Sequence, residues 1–269
     1  MTSNEKYLNF LSNPFSKNLL DSTSEILMNG DKRKGFVLGQ NNHHLLNERE
    51  KYIMRIQKRH SDLIATIEQI NFIKIFLSRF PNKDFLSNNN INQLTYIQYH
   101  SEVLFHKVHT ILEIMKLLIN EVYILKIEPE DCSWNTLISK LNKNYLPMKI
   151  IDKYFKTFEK FIEMRHANSH RGIYDDVEKD KINLDFGFGV YEMHERMGIE
   201  TDTEFKKIFP KYLINYKIKE FKKNRIKLVS KVQDIIYELT NDFLVSLIDE
   251  FEKKKKKHHN MRQHTSAES

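Results

Sequence analysis

The sequence predicts an all-α protein: an up-and-down bundle of four long helices, with short extra helices and a small β-like insertion. Three observations carry this expectation. Only 7 glycines and 5 prolines occur in 269 residues, a scarcity that disfavours turn-rich sandwiches and barrels. Apolar residues recur at steps of three and four over long spans, the period of a buried helix face. The 18 Phe and 12 Tyr supply enough apolar area for a substantial core.

Residues 1–45 are rich in Ser and Asn, carry Gly30, Gly35 and Gly39, and read as an irregular leader with a short helix near Ser24–Asn29. A bundle is expected over residues 46–252. Its first long helix starts near Leu46, with Ile53, Ile56, His60, Leu63, Ile67, Ile70, Lys74 and Leu77 as the seam, and Pro81 stops it. Asn88, Asn89 and Asn90 make a turn and a capping region. The second long helix carries Leu104, Val108, Ile111, Met115, Leu118 and Val122 to about Leu125. Pro129 closes that segment, and Ser133 caps a short helix holding Trp134, Leu137, Ile138 and Leu141. Pro147 opens the third long helix.

Beyond Gly172 the texture changes to an insertion at about 175–210. Asp175–Asp180 is acidic and loop-like. Ile182, Leu184, Phe186, Phe188 and Val190 are apolar at every second position, a strand or hairpin pattern weakened by Gly187 and Gly189. Thr201–Phe209 reads as a short helix ended by Pro210. The final helix runs from about Tyr212 to Lys253, with Val229, Val232, Ile236, Leu239, Phe243 and Leu247 on one side. Residues 253–269 form a basic tail expected to be disordered.

The net charge of +7 permits phosphate binding without requiring it. A single cysteine, Cys132, excludes an internal disulfide and a cysteine-rich zinc site and suits a reducing, cytoplasmic setting. No signal peptide is visible at the N-terminus. Even Ile111–Leu125, the most apolar stretch, is broken by Glu113, Lys116, Asn120 and Glu121, so no membrane span is expected.

The chemistry concentrates in Arg165-His166-Ala167-Asn168-Ser169-His170. On the third helix Ile151, Phe155, Phe158 and Ile162 define the buried line, and Arg165 continues it seven positions after Phe158. A guanidinium on such a line needs a partner, either a carboxylate of the fold or a phosphate from outside. His166 and His170 stack at i, i+4. Arg165 and His170 are separated by about 140° around an ideal helix. Gly172 fits the position after a helix end, which places His170 in a frayed last turn. There the negative end of the helix dipole favours the imidazolium, a poise suited to general acid–base work.

Arg165 to His170 resembles the Arg-x4-His motif of the HEPN superfamily, with histidine at the polar second position, inside a chain that is similar to a HEPN bundle. The resemblance implies metal-independent cleavage of RNA, in which a 2′-hydroxyl attacks the adjacent phosphate and leaves a 2′,3′-cyclic phosphate. It makes Arg165 and His170 catalytic and His166, Asn168 and Ser169 supporting, with no cofactor and no metal. It also implies a homodimer with a composite active site, and a toxin–antitoxin or phage-defence setting in which an antitoxin or sensor protein is a partner. Gly172 stands where some members carry a tyrosine modified by a partner nucleotidyltransferase, and Tyr174 lies two further on, so that control is not implied. The alternative reading is a non-catalytic HEPN-like nucleotide-binding or assembly module. An unrelated helical adaptor is the third.

His166 and His170 also have zinc-ligand spacing, but the glutamate of the metalloprotease pattern is replaced by Ala167. His100, His106 and His109 read as surface or core-edge residues. A basic stretch (Lys217, Lys219, Lys222, Lys223, Arg225, Lys227 and Lys231, with Tyr212, Tyr216 and Phe221 nearby) is the best RNA-facing candidate. Arg171, beside the motif, and Lys222, Lys223 and Arg225 of this stretch are the expected RNA contacts. The competing reading is an ordinary solvated helix face.

Overall fold

The computed structural model describes residues 10, 12–80, 83–171 and 176–265, with the side chains of Lys83, 168–171 and 258–265 left aside. Eleven helices of more than one turn are described: α1 (Pro14–Met28), α2 (Glu48–Ser78), α3 (Lys83–Asn88), α4 (Gln93–Tyr123), α5 (Trp134–Lys140), α6 (Leu146–Arg171), α7 (Val177–Leu184), α8 (Phe188–Met197), α9 (Thr203–Ile208), α10 (Lys211–Ser246) and α11 (Ile248–Thr265). No strand occurs among the described residues. The four long helices expected from the seams are α2, α4, α6 and α10. No described helix is long and apolar enough to cross a membrane.

The chain divides into two compact units, each assembled from separate stretches: Met1–Glu68, His109–Glu159 and Ile235–Ser269 in the first, Gln69–Val108 and Lys160–Asp234 in the second. Each long helix gives one stretch to each unit. Its apolar period continues across the division, so nothing in the periodicity announces it.

In the first unit Phe15, Leu19, Tyr52, Ile56, Leu63, Phe243 and Phe251 are buried together with Met115 and Leu118. The N-terminal leader is therefore corrected. Asn13 caps α1 by accepting from the Phe15 N–H, and its amide donates to Asn241 Oδ1 at 2.8 Å. Phe15 packs 5.4 Å from Phe251. The Ser and Asn content that suggested an irregular segment supplies caps and small buried contacts such as Ser16, whose hydroxyl lies 2.8 Å from His60 Nε2. Of the tail expected to be disordered, residues 253–265 are helical, and 266–269 lie outside the described residues. The last helix breaks at Leu247 and resumes as α11, in which Lys255 donates to Asn18 Oδ1 at 2.6 Å and lies over the Phe251 ring. Tyr52 donates to the Val122 carbonyl at 3.0 Å. Burial raises its phenol far above the ordinary range.

The second unit holds the insertion, which is helical rather than β-like. Asp176 caps α7 and Asp202 caps α9 by accepting backbone N–H groups. Gly187, at φ +67°, turns the chain from α7 into α8. A side chain at Gly187 would stand 2.7 Å from the Phe205 ring. The alternating run that suggested a strand thus spans the end of one helix, a turn and the start of another. In a strand, its five apolar residues would share one face. Here Ile182 is buried while Leu184 is 76% exposed. Tyr191 anchors α8 through its hydroxyl, which donates to the Phe209 carbonyl at 2.8 Å.

Candidate active site

The motif occupies the C-terminal end of α6. This helix departs from helical geometry at Phe158 (φ −110°, ψ 15°), yet Ile151, Tyr154, Phe158 and Ile162 remain buried. Tyr154 takes the interior place expected for Phe155, which is 42% exposed. Beyond Ile162 the face opens. Arg165 is half-buried and His166 exposed, and Arg165 Nη1 lies 3.3 Å from His166 Nδ1. Of the two partners left open for the guanidinium, no carboxylate pairs with it among the described residues. A half-exposed arginine keeps enough hydration to exist without one.

The side chains of Asn168, Ser169, His170 and Arg171 lie outside the described residues, as does Gly172 altogether. The backbone is helical through Arg171. His170 is therefore on the regular helix, about 140° around the axis from Arg165.

After the motif the chain is fixed at Asp176. This carboxylate is buried, and both of its oxygens accept from Arg225 Nη2 at 2.8 Å. Glu178 Oε2 stands 3.4 Å from the same guanidinium, which lies over the Phe221 ring at 4.6 Å. Arg225, expected to touch RNA, is thus engaged within the fold. Lys222 is half-buried and donates to the Ser78 carbonyl at 3.0 Å. Lys223 is exposed. Sequence reasoning missed this pairing. The available signal was an aspartate three residues before Lys179, the spacing of a helix cap.

The other candidate groups are structural. His100 is buried against Phe76, Tyr96 and Tyr99, and burial lowers its pKa. His109 Nε2 lies 3.4 Å from Glu113. Cys132 is buried, and burial pushes its thiol up, the opposite of what a nucleophile needs. Among the described residues no three His, Cys, Asp or Glu side chains gather as metal ligands. A cavity of about 630 Å³ lies in the second unit between Phe80, Ile91, Phe188, Tyr191, Arg196 and Lys211; neither Arg165 nor His166 lines it.

An all-helical protein with an arginine and a histidine displayed near the end of a long helix is the class that fold and site define. The chain belongs to the Cthe2314-like HEPN family, whose model matches residues 52–211. That span contains the motif helix and the helical insertion. No curated protein and no solved structure matches the chain.

Proposed function

We propose that the protein is a metal-independent endoribonuclease working through Arg165 and His170. The observation that carries the reading is Arg165 itself: a guanidinium on a half-open helix face, beside an exposed histidine, with no carboxylate paired to it among the described residues. A cation that no described carboxylate engages is available to a phosphate.

In the proposed reaction His170 removes the proton from a ribose 2′-hydroxyl. The oxygen attacks the adjacent phosphorus, and the bond from phosphorus to the 5′-oxygen breaks. A proton returned to that oxygen frees the 5′-hydroxyl, leaving a 2′,3′-cyclic phosphate on the other fragment. Arg165 donates to the non-bridging oxygens and stabilises the charge that grows on them. His166, Asn168 and Ser169 orient the phosphate or the partner histidine, and Arg171 and Lys223 hold flanking phosphates.

A helical backbone through His170 sets the two positions about 140° apart around the axis, which favours a site shared between two chains. Each copy of a symmetric dimer then contributes one arginine and one histidine to a common cleft. Such an enzyme fits a toxin or phage-defence role, held in check by an antitoxin or sensor protein.

The test is incubation of the purified protein with mixed RNA in EDTA, followed by analysis of the ends. Cyclic phosphate termini, lost in folded Arg165→Ala and His170→Ala variants, are expected. Intact RNA across protein concentrations that populate the dimer refutes the enzyme and favours the nucleotide-binding or assembly module.

A further inference from the structure

The face of α10 that the second unit leaves to solvent carries a sorted set of side chains. Tyr212 and Tyr216 are 77% and 59% exposed, and Lys219, Lys223, Lys227 and Lys231 follow them, all exposed. Placed on a helix, the first five fall within a sector of about 80°, and Lys231 extends it. The buried residues Ile214, Ile218, Phe221, Val229 and Val232 occupy the interior side.

Charge is sorted on this helix as well. Lys217 is paired with Glu220 at 2.9 Å, Lys222 with the Ser78 carbonyl and Arg225 with Asp176. The four stripe lysines pair with no carboxylate among the described residues. Glu220, the acid alongside the stripe, is already engaged by Lys217, and Asp234 lies at its far end. The cations that the fold engages and those without a carboxylate partner among the described residues therefore follow separate lines along one helix, with Lys217 at the border, over the Tyr216 ring.

Two exposed phenol rings followed by four ammonium groups with no carboxylate partner among the described residues match an unpaired nucleic acid strand. Successive lysines, four residues apart, are separated by about 6 Å along the axis, of the same order as neighbouring phosphates on an extended strand. The rings offer apolar faces to bases that are not paired, whereas a duplex hides its base faces. An acidic protein surface would satisfy the lysines but gives no reason for two large rings in water.

We propose that the stripe Tyr212, Tyr216, Lys219, Lys223, Lys227 and Lys231 is a docking track for single-stranded RNA. The tyrosines stack on two bases and the lysines hold the phosphates that follow. This inference rests on the reading of RNA as the substrate and adds where the strand lies outside the reacting centre. It also moves the expected contacts from Lys222 and Arg225, both engaged in the fold, to the face beside them.

The test uses the full chain and a labelled, unstructured oligonucleotide of roughly twelve residues with 2′-O-methyl groups, which binds without the hydroxyl needed for cleavage. Binding is followed by fluorescence anisotropy at several salt concentrations, with thermal melting as a check on folding. Lys219→Gln/Lys223→Gln/Lys227→Gln is expected to lower the slope of log affinity against log salt by about 2, since each phosphate contact on a single strand contributes about 0.7. Tyr212→Ala/Tyr216→Ala is expected to weaken binding roughly tenfold or more with the slope unchanged. Wild-type affinity in both folded variants overturns the track. So does equal binding of a duplex or of poly-glutamate with the tyrosines indifferent, which marks a general anion surface. Cleavage of unmodified RNA and its loss in Arg165→Ala are scored separately. A failed track with intact cleavage leaves the nuclease standing, and a sound track without cleavage removes the nuclease alone.

Discussion

Acid should loosen this protein through one imidazole, His60. The ring is 3% exposed, lies 2.8 Å from the Ser16 hydroxyl, and has its pKa lowered to about 4 by burial, against an ordinary 6.5. In the unfolded chain it binds a proton near pH 6.5; in the folded chain it resists until about pH 4. Between these values the unfolded state holds more protons, so stability rises with pH there. The contribution is whole above the unfolded value and is lost as pH falls through the folded one. Linkage gives a loss of about 2 kcal/mol between pH 8 and pH 5, and about 3 kcal/mol once pH is below 4. Every other titrating group adds its own pH dependence, so the informative quantity is a difference between proteins. Gln at position 60 retains hydrogen-bonding capacity without the titration. Urea unfolding followed by far-ultraviolet circular dichroism, at pH 8, 7, 6 and 5, should show wild type losing about 2 kcal/mol more than His60→Gln over that range. Parallel pH profiles would show that His60 gains its proton as readily folded as unfolded, and the reasoning from burial would fail.

Four further outcomes can be measured directly. Arg165→Ala should cut RNA cleavage at least about 100-fold while changing stability by no more than about 0.5 kcal/mol, since no carboxylate among the described residues pairs with this guanidinium; product ends and melting temperature check the two halves. Mixing equal amounts of Arg165→Ala and His170→Ala chains should restore about a quarter of wild-type activity, because half of the dimers are mixed and each has one intact site of two; no recovery after subunit exchange refutes the shared cleft. Asp176→Ala should cost about 3–5 kcal/mol by leaving the Arg225 guanidinium buried without its main partner, read from denaturant midpoints. Gly187→Ala should cost about 1–2 kcal/mol for the left-handed backbone alone, with a further loss because the added carbon meets the Phe205 ring; unchanged melting would contradict the turn geometry.

The long seams were legible because helix burial repeats with a period that sequence displays directly. Every residue named on the second and fourth long helices is buried, as is the first seam except Lys74, where Ile73 turns inward instead. The short helices were legible where a cap or a proline marked an end, as at Ser133 for one and at Pro210 for another. The insertion misled because period two over a few residues does not distinguish a strand from two helix ends meeting at Gly187. Its decisive features are the Asp176 cap and the aromatic cluster of Tyr191, Phe205 and Phe209, which depends on residues distant in sequence. The leader misled for a related reason: polar composition reports solvent preference on average, while Asn13 and Ser16 are buried with their hydrogen bonds satisfied. At the site, the motif and its helix could be found from sequence. Which cations of α10 are already engaged could not, because Asp176 and Ser78 reach Arg225 and Lys222 from other parts of the chain.

The clamp between Asp176 and Arg225 changes how mutagenesis around the motif should be interpreted. An acid a few positions beyond the histidine invites assignment as a second proton carrier, and its loss would abolish turnover. Yet this carboxylate is buried against a guanidinium and closes the start of a helix, so it does not face a substrate. A survey of inactive variants would place Asp176 among the reactants, whereas its duty is mechanical: it moors the start of α7 to α10. Only soluble yield or heat tolerance, measured beside turnover, separates the mooring from the machinery.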